Sequence, residues 1–133
     1  MSSKRSCVTA VLLFFMAGCS ASVDGRYAVN GHVSYKGKPV PSGEVSFEPD
    51  TAKGEHGQAS LGRITNGKYE IPAEYGVRPA AYIARVTGYT SLSQDETAEP
   101  TGGPVRELFP VYITETVFPE KNSTFDIAVP PQK

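Results

Sequence analysis

The amino-acid sequence predicts an all-β protein, an antiparallel sandwich of about seven strands with Ig-like architecture. Three observations predict this class. Apolar and polar residues alternate with a period of two in several short segments, Gly- and Pro-containing turn signals separate these segments, and no segment has the period of an amphipathic helix. The 133 residues include 13 Gly and 11 Pro, a composition typical of short strands joined by turns. A chain of this length is expected to form one domain.

The first part of the chain predicts two strands. Residues 29–35 place Val and Tyr on one side of a strand and Asn, His and Ser on the other, so His32 is expected on the outward side. A Lys-Gly-Lys turn follows, and then a connector at residues 39–43 whose two prolines cannot donate to a central ladder. Residues 44–48 continue the alternation, and Pro49 ends this second strand.

The middle of the chain predicts a β-hairpin. Residues 58–65 form one predicted strand, with a bulge at Gly62 where the alternation of apolar residues slips. The Asn66–Gly67 pair predicts a tight turn, because both residue types tolerate a positive φ angle. Residues 69–71 then resume the alternation as the return strand.

The remaining segments predict three further strands around one long loop. Residues 73–79 are a connector with a single helical turn, and residues 82–87 form the next strand. Residues 91–105 are rich in Ser, Thr, Glu, Gly and Pro, and loops of this length are commonly functional or mobile. Two last strands are predicted at residues 112–118 and 124–129.

The N-terminus predicts export. Lys4 and Arg5 precede an apolar run at residues 8–17, and Gly18 and Cys19 follow it. A basic start, an apolar core and an exit of small residues are typical of a secretory signal peptide. The apolar run is shorter than the roughly 20 residues that span a bilayer.

The exit of this segment predicts a lipid anchor. Residues 16–19, Met-Ala-Gly-Cys, resemble a bacterial lipobox, which implies cleavage between Gly18 and Cys19 and lipidation of the Cys19 sulfur. Each buried methylene of an acyl chain contributes roughly 0.8 kcal/mol, so the two or three chains of a bacterial lipoprotein hold it stably on a membrane. Ser20 stands where Asp would favour the inner membrane, so the outer membrane is preferred.

These features predict a signal peptide at residues 1–18, a small polar tether at 19–26 and a sandwich domain at 27–130. Cleavage would leave Cys19 as the only cysteine, because Cys7 lies in the signal peptide. Stability is therefore expected from core burial and not from a disulfide. The formal net charge of −1 argues against a nucleic-acid partner.

One stretch resembles a known domain family. Residues 31–49 contain Gly-x-Val, Gly-Lys-Pro-Val and Gly-x-Val-x-Phe-x-Pro, and they resemble the opening of the carboxypeptidase-regulatory-like domains, which have a transthyretin-like sandwich fold. Residues 66–71 resemble the Asp-Gly-x-Tyr hairpin of that family, and residues 79–86 its Pro-Pro-Gly-x-Tyr-x-Val segment, with two alanines in place of Pro-Gly. The resemblance extends over residues 27–129 and implies a bacterial lipoprotein of the Planctomycetes type.

The sequence predicts no metal site and no cofactor. His32 and His56 are the only histidines, and zinc needs three or four converging ligands. Five acidic residues lack the spacing of a calcium loop and are expected on a solvated surface: Asp50, Glu55, Asp95, Glu96 and Glu99.

Catalytic residues are not predicted either. No serine lies in a Gly-x-Ser-x-Gly motif. The hydroxyisourate hydrolases, which share the transthyretin-like fold, end in Tyr-Arg-Gly-Ser, and residues 127–133 lack that ending. We therefore expect a protein that is not an enzyme, with a small hydrolase as one alternative.

The aromatic residues provide the candidate ligand contacts. Tyr75, Tyr89 and Tyr112 lie near connectors, where exposed rings stack on sugars or anchor protein partners, although a structural role at the rim is the alternative. Five others have inward parity and are expected in the core: Tyr35, Phe47, Tyr69, Tyr82 and Phe125. The expected function is a membrane-anchored binding or scaffolding module of the cell envelope, whose partner is an envelope protein or a glycan. A carbohydrate-binding accessory module is the other alternative.

Overall fold

A computed structural model describes residues 22–90 and 105–133. Nine strands lie in these ranges, together with two single 3-10 turns, and no α-helix lies among them. The strands are β1 (Val29–Tyr35), β2 (Lys38–Pro39), β3 (Ser42–Pro49), β4 (Ser60–Thr65), β5 (Lys68–Ile71), β6 (Ala80–Tyr89), β7 (Glu107–Phe118), β8 (Ser123–Thr124) and β9 (Ile127–Val129). The 3-10 turns are Thr51–Lys53 and Ala73–Tyr75, and the second confirms the helical turn predicted in that connector. None of the described segments is a helix long and apolar enough to cross a membrane.

The strands form one curled sheet. Its order is β2-β1-β5-β4-β3-β6-β7, with antiparallel neighbours throughout, and β8 and β9 pair in parallel with β1. The sheet curls so that inward side chains from its distant parts face one another: the ring centroid of Phe118 in β7 lies 6.1 Å from that of Phe125, which follows β8. The inward faces therefore share one core, and the predicted all-β sandwich is confirmed.

The core lies between these inward faces and has Phe47 at its centre. Its ring is fully buried and lies 5.1 Å from Phe118 and 6.1 Å from Tyr69, measured between centroids. The predicted core aromatics take their expected places. Tyr69 and Tyr82 are buried, and Tyr35 and Phe125 are partly buried against the same cluster.

The tight turn between β4 and β5 has the predicted geometry. Asn66 and Gly67 have φ angles of 49° and 76°, as the two central residues of a type I′ turn require. The amide of Gly67 donates to the carbonyl of Val40 at 2.7 Å, so the turn also fixes the connector that leads into β3.

The prediction of a bulge at Gly62 is wrong. β3 and β4 pair without a register shift, and Gly62 lies opposite Val45. Leu61 points outward and is 58% exposed, although its apolar side chain had suggested an inward place. Gly62 takes that inward place because little room is left there: a Cβ atom would lie 3.0 Å from Cγ1 of Ile71.

The last strands also differ from the prediction. β7 begins at Glu107 and not at residue 112, because the chain continues through a bulge in which Pro110 and Val111 stand against the single residue Thr87. Proline has no amide hydrogen and suits a bulge, where the ladder needs no donor. The predicted strand at 124–129 is divided into β8 and β9, between which the Phe125 amide donates to the Asn30 carbonyl at 2.8 Å.

Some predicted features lie outside the described residues. They are the signal peptide, the cleavage site between Gly18 and Cys19 with the lipidated sulfur, and the polar loop at 91–105 except for Val105.

Candidate functional site

The sandwich has two ends, and the described chain begins at one of them. Tyr27 exchanges two main-chain hydrogen bonds with Val77, at 2.8 and 3.0 Å, and the Arg26 guanidinium donates to the Glu74 carbonyl at 3.3 Å. We call this the tether end, formed by residues 22–28 and 73–79. β1 runs from there to the opposite end.

The opposite end is formed by the β1–β2 turn, the start of β3, the end of β6 and the start of β7. We call it the far end. It contains a cavity of about 500 Å³, which we call the far-end pocket, and this volume lies within the range of ligand sites. The pocket is lined by Tyr35, Lys36, Lys38, Pro39, Pro41, Thr90, Arg106, Glu107 and Leu108.

One wall of the far-end pocket is a rigid connector. The side chain of Val40 is fully buried between Pro39 and Pro41, and its amide donates to the Val33 carbonyl at 3.0 Å. The Pro41 carbonyl accepts from the amide of Asn66 at 2.9 Å. Because proline fixes φ and needs no hydrogen-bond acceptor, the two prolines present apolar surface at a fixed position.

The facing wall joins β6 to β7. The Thr90 amide donates to the Arg106 carbonyl at 2.9 Å, and the Arg106 amide donates to the Thr90 hydroxyl oxygen at 3.0 Å. Close to this reciprocal pair, Leu108 and Tyr35 both pack against the core, and the Tyr35 ring lies 4.9 Å from that of Phe109. Both walls are therefore fixed by main-chain contacts.

The charges around the far-end pocket are mainly positive. Lys36, Lys38 and Arg106 line it, and Glu107 is the single acidic residue among the lining residues that the structure describes. The Lys36 ammonium lies 5.2 Å from the centroid of the Tyr35 ring, so it covers that ring. Among the described residues, the pocket thus has three cations and one carboxylate, whereas the chain as a whole has a net charge of −1.

A second depression, of about 550 Å³, lies on the outer face of β1, β5 and β4. His32, Arg63 and Lys68 line it with exposed side chains, and Tyr69 reaches it from the core. The Tyr69 hydroxyl donates to the Phe125 carbonyl at 2.6 Å. Burial, and secondly the negative charge of Asp126, raise the pKa of Tyr69 well above its usual range. This hydroxyl stays protonated and joins β5 to the segment between β8 and β9.

The three predicted ligand-contact residues do not come together. Tyr75 is 63% exposed at the tether end, and Tyr89 is partly buried near the far end. Tyr112 packs against the core from β7. Tyr75 and Tyr89 therefore cannot contribute to one binding platform.

Sequence reasoning missed the far-end pocket. Tyr35 was expected in the core because of its parity, and it both packs there and lines the pocket. The available signal was the Lys-Gly-Lys turn followed by two prolines, which places cations beside rigid apolar surface.

Asp50 has a structural role, and its predicted place on a solvated surface is wrong. It is 2% exposed, accepts from the Ala52 amide at 3.1 Å and lies 3.3 Å from the Lys53 ammonium. Hydrogen bonds to Glu115 and then to Asp50 raise the pKa of Lys53.

Within residues 22–90 and 105–133, no three His, Cys, Asp or Glu side chains are grouped closely enough to hold a metal ion. His56 is exposed in the loop before β4.

In comparisons with known proteins, no protein-family model and no curated protein sequence matches the chain.

Proposed function

We propose that the protein is a lipid-anchored lipoprotein of the bacterial cell envelope whose sandwich is a non-catalytic binding or scaffolding module. The observation that carries this proposal is the placement of the described N-terminus and the far-end pocket at opposite ends of the sandwich. β1 alone, with seven residues, extends roughly 20 Å from one end towards the other. A lipidated Cys19, a few residues before the tether end, would direct the far-end pocket away from the membrane.

The family resemblance supports this proposal. Gly31 and Gly43 of the resembling motif lie where the main chain of another segment comes very close, at Phe125 and Thr87 respectively. Phe47 of the same motif is the centre of the core. The motif residues thus meet strict structural demands, as those of a carboxypeptidase-regulatory-like domain would.

The hydrolase alternative gains no support from the far-end pocket. Its lining residues in the described part of the chain include no histidine, cysteine or aspartate. The Thr90 hydroxyl oxygen accepts a hydrogen bond from the Arg106 amide and so helps to hold the two strands together. This arrangement favours binding over catalysis.

Replacing Cys19 with Ser tests the anchor. The full chain is expressed in a Gram-negative bacterium, and its membrane and soluble fractions are compared together with the mass of the processed protein. We expect the unmodified chain in the membrane fraction with acyl groups on Cys19. The C19S chain is expected either unprocessed or soluble, because serine has no sulfur to carry the acyl chains that would hold the protein on the membrane.

Cys7→Ser is the matched control, since this cysteine lies in the predicted signal peptide and its loss should leave fractionation unchanged. A C19S chain that has lost its signal peptide and still fractionates with membranes would contradict the anchor. An unmodified Cys19 thiol on the mature protein would contradict it equally.

A further inference from the structure

The far-end pocket combines two recognition chemistries within about 500 Å³. Its apolar surface comes from Pro39, Pro41, Leu108 and Tyr35. Its cations stand on both walls, with Lys36 and Lys38 on the β1–β2 side and Arg106 on the β7 side. A ligand that satisfies both chemistries has an apolar group between negatively charged groups.

The shape of the apolar surface favours a peptide over a sugar. A sugar ring stacks on an open aromatic face, but one side of the Tyr35 ring packs against Phe109 and the Lys36 ammonium lies over the ring. The remaining apolar surface is aliphatic and consists of two rigid prolines and Leu108. Such surface suits a side chain such as Leu or Val.

The charged residues of the pocket determine which kind of peptide it suits. Carboxylate side chains on both sides of an apolar residue would face the lysines on one wall and Arg106 on the other. Arg106 presents a planar guanidinium that binds carboxylates in a bidentate manner. Glu107 would repel an acidic ligand, but three cations outnumber it among the described lining residues.

We infer that the far-end pocket binds an extended acidic segment of another envelope protein, in which an apolar residue lies between carboxylate residues. This inference rests on the proposed function, because it names the partner of the binding module described above. Lipid anchoring at the opposite end would leave this pocket open to such a partner.

The test measures binding of a fluorescein-labelled heptapeptide with Glu at every second position and Leu or Pro between. The full chain is purified in neutral detergent at low ionic strength, and fluorescence anisotropy gives the Kd. We expect Lys38→Glu and Arg106→Glu each to raise this Kd about tenfold, since each exchanges an attraction for a repulsion. Both side chains are exposed, and circular dichroism checks that the variants keep their strand content.

Lys121→Glu is the matched control. It makes the same charge change on an exposed residue at the tether end, beside the contact between Ala28 and Asn122, and should change the Kd less than about twofold. A peptide with Lys in place of Glu should not bind.

Three results would overturn the inference: no binding of the acidic peptide, an equal loss of affinity with K121E, or tighter binding of polygalacturonate that depends on the same two residues. The chain's own acidic residues Asp95, Glu96 and Glu99 are a rival occupant. Peptide binding that appears only after all three are exchanged for Asn or Gln would also overturn it. The assay does not depend on the state of Cys19, so its failure is distinguishable from failure of the anchor.

Discussion

Replacing Phe47 with Ala is expected to lower the free energy of unfolding by about 4 kcal/mol, as for other large buried aromatics. The Phe47 ring is fully buried and touches rings from three other parts of the sheet. Its centroid lies 5.1 Å from Phe118, 6.0 Å from Phe125 and 6.1 Å from Tyr69. No single neighbour can move into the resulting cavity without losing its own contacts, so the cavity is expected to persist.

Urea unfolding followed by far-ultraviolet circular dichroism measures this loss. Leu61→Ala is the control, because Leu61 is 58% exposed on the outer face, and its loss should cost no more than about 0.5 kcal/mol. Small domains have only about 5–15 kcal/mol of stability, so F47A should unfold at a clearly lower urea concentration. A loss below about 1 kcal/mol would contradict the central position of Phe47 in the core.

Replacing Gly31 with Ala is expected to cost about 3 kcal/mol or to prevent folding, although the change adds a single methyl group. A Cβ atom at Gly31 would overlap the main-chain carbonyl of Phe125, and it would lie 3.0 Å from Cε1 of Tyr69 on another side. The Tyr69 hydroxyl itself donates a hydrogen bond to that carbonyl. The Phe125 carbonyl and the Tyr69 ring are therefore held to each other, and neither can move aside alone. The overlap can be removed only if β1 moves away from the β8–β9 segment.

Gly37→Ala separates this steric effect from the flexibility of glycine. Gly37 has a φ angle of 75° with nothing within 4 Å of the added atom, so its exchange should cost only about 1–2 kcal/mol through backbone strain. The same urea experiment compares the two variants. Equal losses would show that glycine flexibility, and not the close approach at Gly31, sets the cost.

Local patterns predicted the parts of the fold that depend on a single segment. The alternation in residues 29–35 and 44–48 assigned the inward and outward sides correctly, because the parity of a strand is a property of its own residues. The Asn66–Gly67 turn was predicted for the same reason: its positive φ angles depend on two adjacent residue types. The Gly62 prediction failed because it treated Leu61 as a core residue on hydrophobicity alone.

Features that depend on distant segments were not predictable from the sequence. The division of the last strand into β8 and β9 follows from contacts with β1, such as the bond of the His32 amide to the Asp126 carboxylate at 2.8 Å. The far-end pocket likewise joins residues 35–41 to Thr90 and to residues 106–108. Period-two alternation says nothing about which strand ends meet, so it could not reveal which cations surround one cavity.

The parallel pairing of β8 and β9 with β1 has a consequence for biogenesis. The amides of Ala28 and His32 donate hydrogen bonds to side chains that lie 94 positions later in the chain, at Asn122 and Asp126. A chain leaves the ribosome or a translocation channel N-terminus first, so β1 is among the earliest parts of the domain to emerge. One side of β1 stays open to stray strands until the final residues arrive. Chains that stop short of residue 123 would keep that side unprotected and would be more prone to aggregation.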